Sequence, residues 1–196
     1  MAEHILAFDT SGPYCAAALL RGDEVLATTV EDMARGQAER LMDLLNETLA
    51  AHDLAWRDLT ALGVGVGPGN FTGIRISVAA ARGLAMGLGI PAVGVSTFEA
   101  SLEDSQNTAL ALPAPRDSFY VQVFQDGVAA AAAQHLPALP DSSQARILSP
   151  KPGDLVTNIA RCALARHATN PGAPKPLYVK APDAAPAKEA GPKILT

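Results

Sequence analysis

The pattern of apolar and polar positions predicts three short strands at the start of the chain. Residues 4–10 and 14–20 are nearly continuous apolar runs, and residues 25–30 follow the turn signal Arg21-Gly22-Asp23-Glu24. Apolar runs of this length that are bounded by turn residues are typical of buried strands. Because short turns join them, the strands are expected to pair as an antiparallel meander.

The apolar period then changes to three and four residues, which predicts helices between further strands. The predicted elements are a helix over 36–51, a strand over 61–66, a helix from about Thr72 to Gly87, a strand over 90–95 and a short helix capped by Ser96 or Thr97. This order predicts an α/β fold with a mixed sheet. It is the order of the RNase H-like core that actin-type ATPases and sugar kinases share, and it does not by itself fix a function.

The pattern weakens after residue 103. Strands are predicted at 108–112 and 119–124, a helix is predicted over 155–166, and proline recurs from Thr169 onward. We therefore predict an RNase H-like, actin-like (ASKHA) N-terminal domain over residues 1–103. A reduced second α/β lobe of the same type should follow over 104–168, and a proline-rich, basic, extended segment over 169–196.

Composition and charge limit the class of protein. Hydrophobic residues make up 48% of the chain and charged residues 18%, which is enough for a packed core. Residues 1–145 carry 7 basic and 17 acidic side chains, a net charge of −10, and residues 146–196 carry 8 basic and 3 acidic, a net charge of +5. The acidic body argues against direct binding of nucleic acid. The basic tail could contact RNA or an acidic partner, or could simply be solvated, which is the commoner case.

The chain also lacks the patterns of membrane and secreted proteins. It has no apolar run of about 20 residues, and its start has no basic region typical of a signal peptide. Cys15 and Cys162 form no metal-binding or redox spacing. We expect a cytoplasmic protein with reduced thiols and without a membrane association.

The first candidate site is the turn Asp9-Thr10-Ser11-Gly12 after the first strand. An acidic residue and hydroxyls at a strand end could contact a nucleotide phosphate or its Mg²⁺. The same residues also favour an ordinary hydrogen-bonded turn, and we consider the turn the more frequent case.

The glycine-rich loop Gly67-Pro68-Gly69-Asn70-Phe71-Thr72-Gly73 is the second candidate site. A glycine-rich loop that opens a helix can hold an anion, and Asn70 or Thr72 could cap that helix. The loop contains no lysine, does not match the common phosphate-binding motifs and has only Arg75 as a nearby cation. Spacing alone therefore favours a tight strand-to-helix turn.

The helix after this loop carries two rows of small residues. Ala79, Gly83 and Gly87 fall at intervals of four, and so do Gly73, Ser77 and Ala81. Glycine inside a helix costs about 1 kcal/mol relative to alanine, and close helix packing could offset that cost. The packing could be internal or between subunits. We favour a subunit interface that also includes Leu41 and Leu45 of the preceding helix, because both helices should lie on one face of the sheet.

The residues indicate no catalytic or metal-binding set. The histidines His4, His52, His135 and His167 are scattered, and no His-x-x-x-His pair or Ser-His-Asp grouping is indicated by spacing. No peptidase activity is suggested by these residues, and we expect no catalytic residue, no metal ligand and no cofactor bound by this chain alone.

Several of these segments resemble one protein family. Ile5-Leu6-Ala7-Phe8-Asp9-Thr10 looks like its opening strand. The run from Gly67 to Ile76 is similar to its signature G-P-G-S-F-T-G-[LVI]-R-[IV], with Asn70 in place of serine. Gly83-Leu84-Ala85, residues 91–97 and Pro176-Leu177-Tyr178-Val179-Lys180 extend the match. The family is TsaB, also called YeaZ, of bacterial tRNA threonylcarbamoyladenosine biosynthesis. The chain is shorter than the usual member, from which we expect a reduced second lobe.

The resemblance implies a partner subunit. TsaB pairs with its paralogue TsaD, which carries the metal and transfers the threonylcarbamoyl group to adenosine 37 of tRNA, and the ATPase TsaE joins them. The family implies a homodimer in the absence of TsaD, contacts through the helices at 36–51 and 72–87, and tRNA bound only through the complex. Two rival hypotheses remain. The first is an actin-like ATPase or phosphotransferase that uses Asp9, Thr10 and the glycine-rich loop, with Ser11 as a further possible nucleotide contact. The second is an RNA-binding module that uses the basic tail.

Overall fold

A mixed five-stranded sheet forms the centre of the N-terminal half. The computed structural model describes residues 2–103, 107–139, 145–169 and 171–179. The strands are β1 (His4–Asp9), β2 (Tyr14–Arg21), β3 (Glu24–Asp32), β4 (Ala61–Gly65) and β5 (Ala92–Val95), in the order β3-β2-β1-β4-β5. The first three strands pair antiparallel, and β4 and β5 continue the sheet in parallel with β1. The predicted meander followed by parallel strands is confirmed.

Two helices cover one face of this sheet. They are α1 (Gln37–Ala50) and α2 (Phe71–Leu88), and the short helix α3 (Thr97–Ala100) follows β5. Leu6 and Phe8 point from β1 toward α1 and α2 and share one hydrophobic cluster with them. Side chains alternate across a strand, so Ile5 and Ala7 point to the opposite face. The prediction that both helices lie on the same face is confirmed.

A second, smaller sheet repeats the strand order of the first. Its strands are β6 (Thr108–Ala114), β7 (Ser118–Gln125), β8 (Val128–Ala129), β9 (Gln134–Leu136) and β10 (Arg146–Ile147). β7 pairs antiparallel with β6, β8 and β9, and β10 lies parallel to β6. This is again a meander followed by a parallel strand on the far side of its first strand. The second lobe is therefore a reduced copy of the first, as predicted.

The helix that follows the second sheet packs on the first one. Helix α4 (Pro152–Arg166) buries an apolar face made by Leu155, Val156, Ile159, Ala160 and Ala163 against β1, β2 and β4. Gly63 allows this approach, because a Cβ there would lie 3.1 Å from the Cβ of Ala163 and 3.2 Å from Cγ2 of Ile159. We predicted this helix as part of a separate lobe over residues 104–168. That boundary stays a prediction, but α4 completes the core of the N-terminal sheet.

The C-terminal residues that the structure describes form an extended segment without helix or strand. Residues 171–179 return to the first lobe, where the Leu177 N–H donates to the carbonyl oxygen of Val66 at 2.8 Å. The predictions for residues 170 and 180–196, including most of the basic tail, lie outside the described residues. In the part of the chain that the structure describes, no helix is both long enough and apolar enough to cross a membrane.

Replacing Ile159 with alanine should lower the free energy of unfolding by about 2–4 kcal/mol. Its side chain is 1% exposed and packs in the cluster beneath β1 and β2, so the change leaves a cavity in the core of the first lobe. The matched control is Ala165→Ser on the exposed side of the same helix, with an expected loss of about 0.5 kcal/mol. Urea denaturation measures both values, and equal effects would contradict the assignment of α4 to this core.

Candidate functional site

The turn after β1 is closed and buried. Asp9 is 1% exposed, and its carboxylate accepts hydrogen bonds from the Tyr14 hydroxyl at 2.6 Å and from the Ser11 hydroxyl at 2.8 Å. The Thr10 hydroxyl donates to the carbonyl oxygen of Gly73 at 2.7 Å. The structure thus brings together the three candidate nucleotide contacts, Asp9, Thr10 and Ser11. It also engages all three in hydrogen bonds within the chain.

Burial dominates the electrostatics of this turn. Loss of water raises the pKa of Asp9 above its ordinary value of 3.8, although the hydrogen bonds from Tyr14 and Ser11 partly oppose the rise. Burial and the neighbouring carboxylate also raise the pKa of Tyr14, so its phenol remains a hydrogen-bond donor. The Tyr14 ring also lies directly against Gly12, where an added Cβ would overlap it. The turn therefore has the properties of a packed structural element.

The glycine-rich loop lies against this turn with almost no space between the two backbones. A Cβ at Gly73 would overlap the carbonyl oxygen of Thr10, and one at Gly69 would overlap that of Ser11. The Asn70 N–H donates to the Ser11 carbonyl oxygen at 2.7 Å. The glycines are needed for this approach of backbone to backbone. From the spacing we favoured a tight strand-to-helix turn, and the geometry agrees with that interpretation.

The side chains of the loop serve the helix and the C-terminal segment. Asn70 caps α2, because its side-chain oxygen accepts from the Gly73 N–H at 2.9 Å. The guanidinium of Arg75 lies over the ring of Phe71, with Cζ 3.8 Å from the ring centroid. Its Nε donates to the Tyr178 hydroxyl at 2.8 Å, and the Tyr178 and Phe71 rings lie 5.0 Å apart. Arg75, the one cation that we considered for an anion, thus holds the C-terminal segment.

Gly67, Pro68 and Thr72 are the remaining members of the loop. Gly67 adopts a left-handed φ of 94° and its carbonyl oxygen accepts from the Thr97 N–H at 2.9 Å, which ties the loop to the start of α3. Pro68 lies beside it on the surface of a cavity, and Thr72 is exposed on the first turn of α2. The exposed members of the loop are Gly69, Asn70 and Thr72.

The two rows of small residues on α2 face opposite ways. Gly73, Ser77 and Ala81 are buried, and the Ser77 hydroxyl donates to the Gly65 carbonyl oxygen at 3.2 Å. Ala79, Gly83 and Gly87 are exposed, and a Cβ added at either glycine would meet nothing within 4 Å. The first row explains how α2 approaches the sheet. The second row has no neighbour in the described part of this chain.

Leu41 and Leu45 do not belong with the exposed row. They are 1% and 0% exposed and pack beneath α1 against the sheet, so their side chains cannot form a subunit interface in this fold. The prediction that these two leucines belong to an interface is therefore wrong. The exposed side of α1 carries Glu39, Met42, Asp43 and Asn46, and the exposed side of α2 carries Arg82 and Met86 in addition to the small residues.

Sequence reasoning missed two tyrosines that shape the candidate site. Tyr14 closes the Asp9 turn, and Tyr178 anchors the C-terminal segment on the loop. Tyr178 lies in the segment that matched the family pattern, which was a signal for it, whereas Tyr14 looked like an ordinary strand residue. Within residues 2–103, 107–139, 145–169 and 171–179, no group of three or more His, Cys, Asp or Glu side chains is placed to hold a metal ion.

Comparison with protein families assigns the chain to a known group. Residues 25–136 match the family described as TsaD, tRNA N6-adenosine threonylcarbamoyltransferase. The chain is 34% identical over 124 residues to the tRNA threonylcarbamoyladenosine biosynthesis protein TsaB of Haemophilus influenzae, which covers 59% of this chain and 51% of that protein. The match thus spans about half the length of that relative.

Two other relatives are covered over nearly their whole length. An uncharacterized protein of Mycobacterium tuberculosis is 33% identical over 207 residues, which covers 93% of this chain and 94% of the relative. The structure of YeaZ from Pseudomonas aeruginosa superposes with a TM-score of 0.67 at 24% identity, over 90% of this chain and 99% of that one. The structural match extends through both sheets and therefore supports the same fold for the whole described chain.

Replacing Gly73 and Gly83 with alanine should change stability in opposite directions. Gly73→Ala forces a Cβ into the Thr10 carbonyl oxygen and should destabilise the protein by roughly 1–3 kcal/mol or more. Gly83→Ala adds a Cβ in open space on the same helix and should stabilise it by up to about 1 kcal/mol. Urea denaturation of both variants measures the two effects. A loss of stability in Gly83→Ala would mean that the outer row is packed within the chain.

Replacing Asp9 with asparagine should change how stability depends on pH. The pKa of Asp9 in the folded chain lies above the ordinary value of 3.8 that holds in the unfolded chain. At a pH between the two pKa values, the Asp9 carboxyl is deprotonated in the unfolded chain and still protonated in the folded chain. In that window this residue lowers the stability of the wild type as pH rises, and the uncharged amide of the variant cannot contribute such a loss. The difference in unfolding free energy, Asp9→Asn minus wild type, should therefore rise with pH. Denaturation between about pH 3.5 and pH 7.5 would measure it, and a constant or falling difference contradicts the raised pKa.

Proposed function

Because the chain belongs to the TsaB (YeaZ) family, we propose that it is a non-catalytic partner subunit in the biosynthesis of N6-threonylcarbamoyladenosine at position 37 of tRNA. It binds TsaD and activates it, and the ATPase TsaE joins the complex. ATP and the metal belong to these partners, and tRNA contacts this chain only through the assembled complex. The site of action is the cytoplasm.

The observation that carries this proposal is the exposed face of α2. Ala79 and Gly83 lie one turn apart on that face, and Met86 follows one turn later with 85% of its surface exposed. Two glycines in an exposed helix cost stability unless another backbone lies against them. Small residues beside a protruding methionine provide both close approach and an adaptable apolar contact. These properties support a helix of a partner as the neighbour of this face.

The charges on the two helices support a partner of the same fold. The exposed side of α1 carries acidic residues, Glu39 and Asp43, whereas the exposed side of α2 carries Arg82. When two such surfaces meet around a two-fold axis, α1 of one subunit can face α2 of the other, and opposite charges come together. A second copy of this chain satisfies that arrangement. TsaD, a paralogue with the same fold, can take the place of the second copy.

The engaged state of the Asp9 turn supports the non-catalytic part of the proposal. The Asp9 carboxylate, the Ser11 hydroxyl and the Thr10 hydroxyl all have partners within the chain at 2.6–2.8 Å. A nucleotide would have to displace Tyr14 and break these bonds to reach the carboxylate. The ATPase hypothesis thus receives no support from this turn, and a role for the basic tail in RNA binding rests on residues outside the described ranges.

Replacing Gly83 with leucine should prevent association with TsaD while the monomer stays folded. The leucine side chain enlarges the exposed surface at the point where a partner backbone would lie, and leucine favours the helix more than glycine does. The matched control, Ala165→Leu, adds a similar side chain to the exposed side of α4. Size-exclusion chromatography with light scattering, on mixtures with TsaD of the same organism, measures complex formation. We expect at least a tenfold loss of affinity for Gly83→Leu and none for Ala165→Leu.

Two outcomes would contradict the proposal. The first is a wild-type chain that does not associate with TsaD even when TsaE and nucleotide are present. The second is a cell that lacks this gene and still contains the modified adenosine at normal levels in its tRNA. A Gly83→Leu variant that binds as well as the wild type would leave the partner role intact and move the interface away from α2.

A further inference from the structure

A cavity of about 500 Å³ lies between the first lobe and the tip of the second sheet. One side is formed by the glycine-rich loop and the C-terminal segment, and the other side by the β6–β7 hairpin and β9. Asp9 and the outer face of α2 do not line it. The cavity is therefore separate from both the closed turn and the proposed subunit interface. Its volume lies in the lower part of the range of small-molecule sites, which suits a ligand with one or two rings.

Aromatic rings line the cavity on both sides. Phe71 and Tyr178 contribute from the first lobe, with their centroids 5.0 Å apart, and Tyr120 and His135 contribute from the second sheet, with centroids 5.5 Å apart. Aromatic pairs that approach from two sides can stack on a planar ring. Most of the remaining lining consists of proline and aliphatic side chains.

The orientation of the His135 ring is fixed through a hydrogen bond to Ser118. The Ser118 hydroxyl donates to the Pro115 carbonyl oxygen at 2.6 Å, and His135 Nε2 lies 2.8 Å from the Ser118 oxygen. Because the serine proton is already used, His135 Nε2–H is the donor in that second bond. The ring therefore keeps one orientation beside Tyr120, as a binding surface for a planar ligand requires.

One cation lines this cavity directly, whereas Arg75 lies behind its wall, over the Phe71 ring and bonded to the Tyr178 hydroxyl. Arg116 is the single arginine or lysine among the described residues that line it. It occupies the tip of the β6–β7 hairpin with a φ of 64°, and Asp117 follows with a φ of 53°. The hairpin loop has three residues, Pro115, Arg116 and Asp117, and a left-handed backbone disfavours a long side chain, so arginine is an unusual choice at this position on backbone grounds alone. Its presence is explained if the guanidinium takes part in binding.

We propose that this cavity binds a small aromatic acid, a planar ring that carries one carboxylate. The ring enters between the Phe71–Tyr178 pair and the Tyr120–His135 pair, and the carboxylate meets the planar guanidinium of Arg116, whose donors match it in a bidentate geometry. A nucleoside triphosphate fits less well. It needs several cations or a metal ion for its phosphates, and this lining offers one arginine.

Calorimetry with three probes tests the proposal on the full chain. Indole-3-carboxylate should bind saturably at one site, indole should bind about tenfold more weakly because it lacks the carboxylate, and ATP with Mg²⁺ should bind more weakly than indole-3-carboxylate. Arg116→Asn should reduce the affinity for indole-3-carboxylate by about tenfold and leave that for indole unchanged. Tyr120→Leu keeps most of the side-chain volume and should weaken both ring ligands by roughly fivefold.

The Arg116→Asn variant is suited to this test because asparagine tolerates a left-handed backbone better than arginine does. Its melting temperature should equal or exceed that of the wild type, so a loss of binding cannot be assigned to unfolding. The control Arg161→Asn removes an exposed arginine from α4 and should bind indole-3-carboxylate as the wild type does. Absence of binding by indole-3-carboxylate, unchanged affinity in Arg116→Asn, or tighter binding of ATP than of the aromatic acid would overturn the proposal.

Discussion

The contact between the glycine-rich loop and the turn after β1 determines most of what this chain can do. At Gly73 the helix α2 begins directly against the carbonyl oxygen of Thr10, and the Thr10 hydroxyl bonds back to Gly73. This contact fixes the position of α2 on the sheet, turns its second row of small residues toward solvent and engages the Thr10 hydroxyl within the chain. Two segments that the sequence marked as candidate phosphate contacts, the turn after β1 and the glycine-rich loop, therefore hold each other in place through their backbones.

Much of the first lobe could be predicted because its signals are local. The apolar runs of β1 and β2, the helical period of α1 and the Ser96 cap each lie within a few residues, and Ser96 forms the expected reciprocal bonds with Glu99. The second sheet was harder to predict, because β8 and β10 have two residues each and are stabilised by their neighbours rather than by their own sequence. The sequence did not predict that α4 packs on the first sheet. Its apolar face indicates that the helix is packed, but only the tertiary structure shows which sheet it packs against.

The candidate site was predictable in its location but not in its contacts. The sequence identified the Asp9 turn and the loop over residues 67–73, and it placed two rows of small residues on α2. It could not show that Tyr14 would cover Asp9, since a tyrosine five residues further along reads as part of a strand. It also assigned Leu41 and Leu45 to an outer surface, although a leucine row on an amphipathic helix more often faces the core of its own chain. The buried leucines of α1 thus belong to the core, and Gly83 and Gly87 are the residues that correctly indicated the exposed face of α2.

The position of α4 has a consequence for the order of folding. The helix that covers the back of the first sheet is encoded after the whole second sheet, so Ile5, Ala7 and Leu20 have no cover until the ribosome has released residues up to Arg166. Contacts between segments so far apart in the chain close a long loop and form slowly. One apolar face of the first sheet therefore stays exposed until α4 has been synthesised, although α1 and α2 can already cover the other face, and this half of the nascent chain is prone to aggregate during that interval.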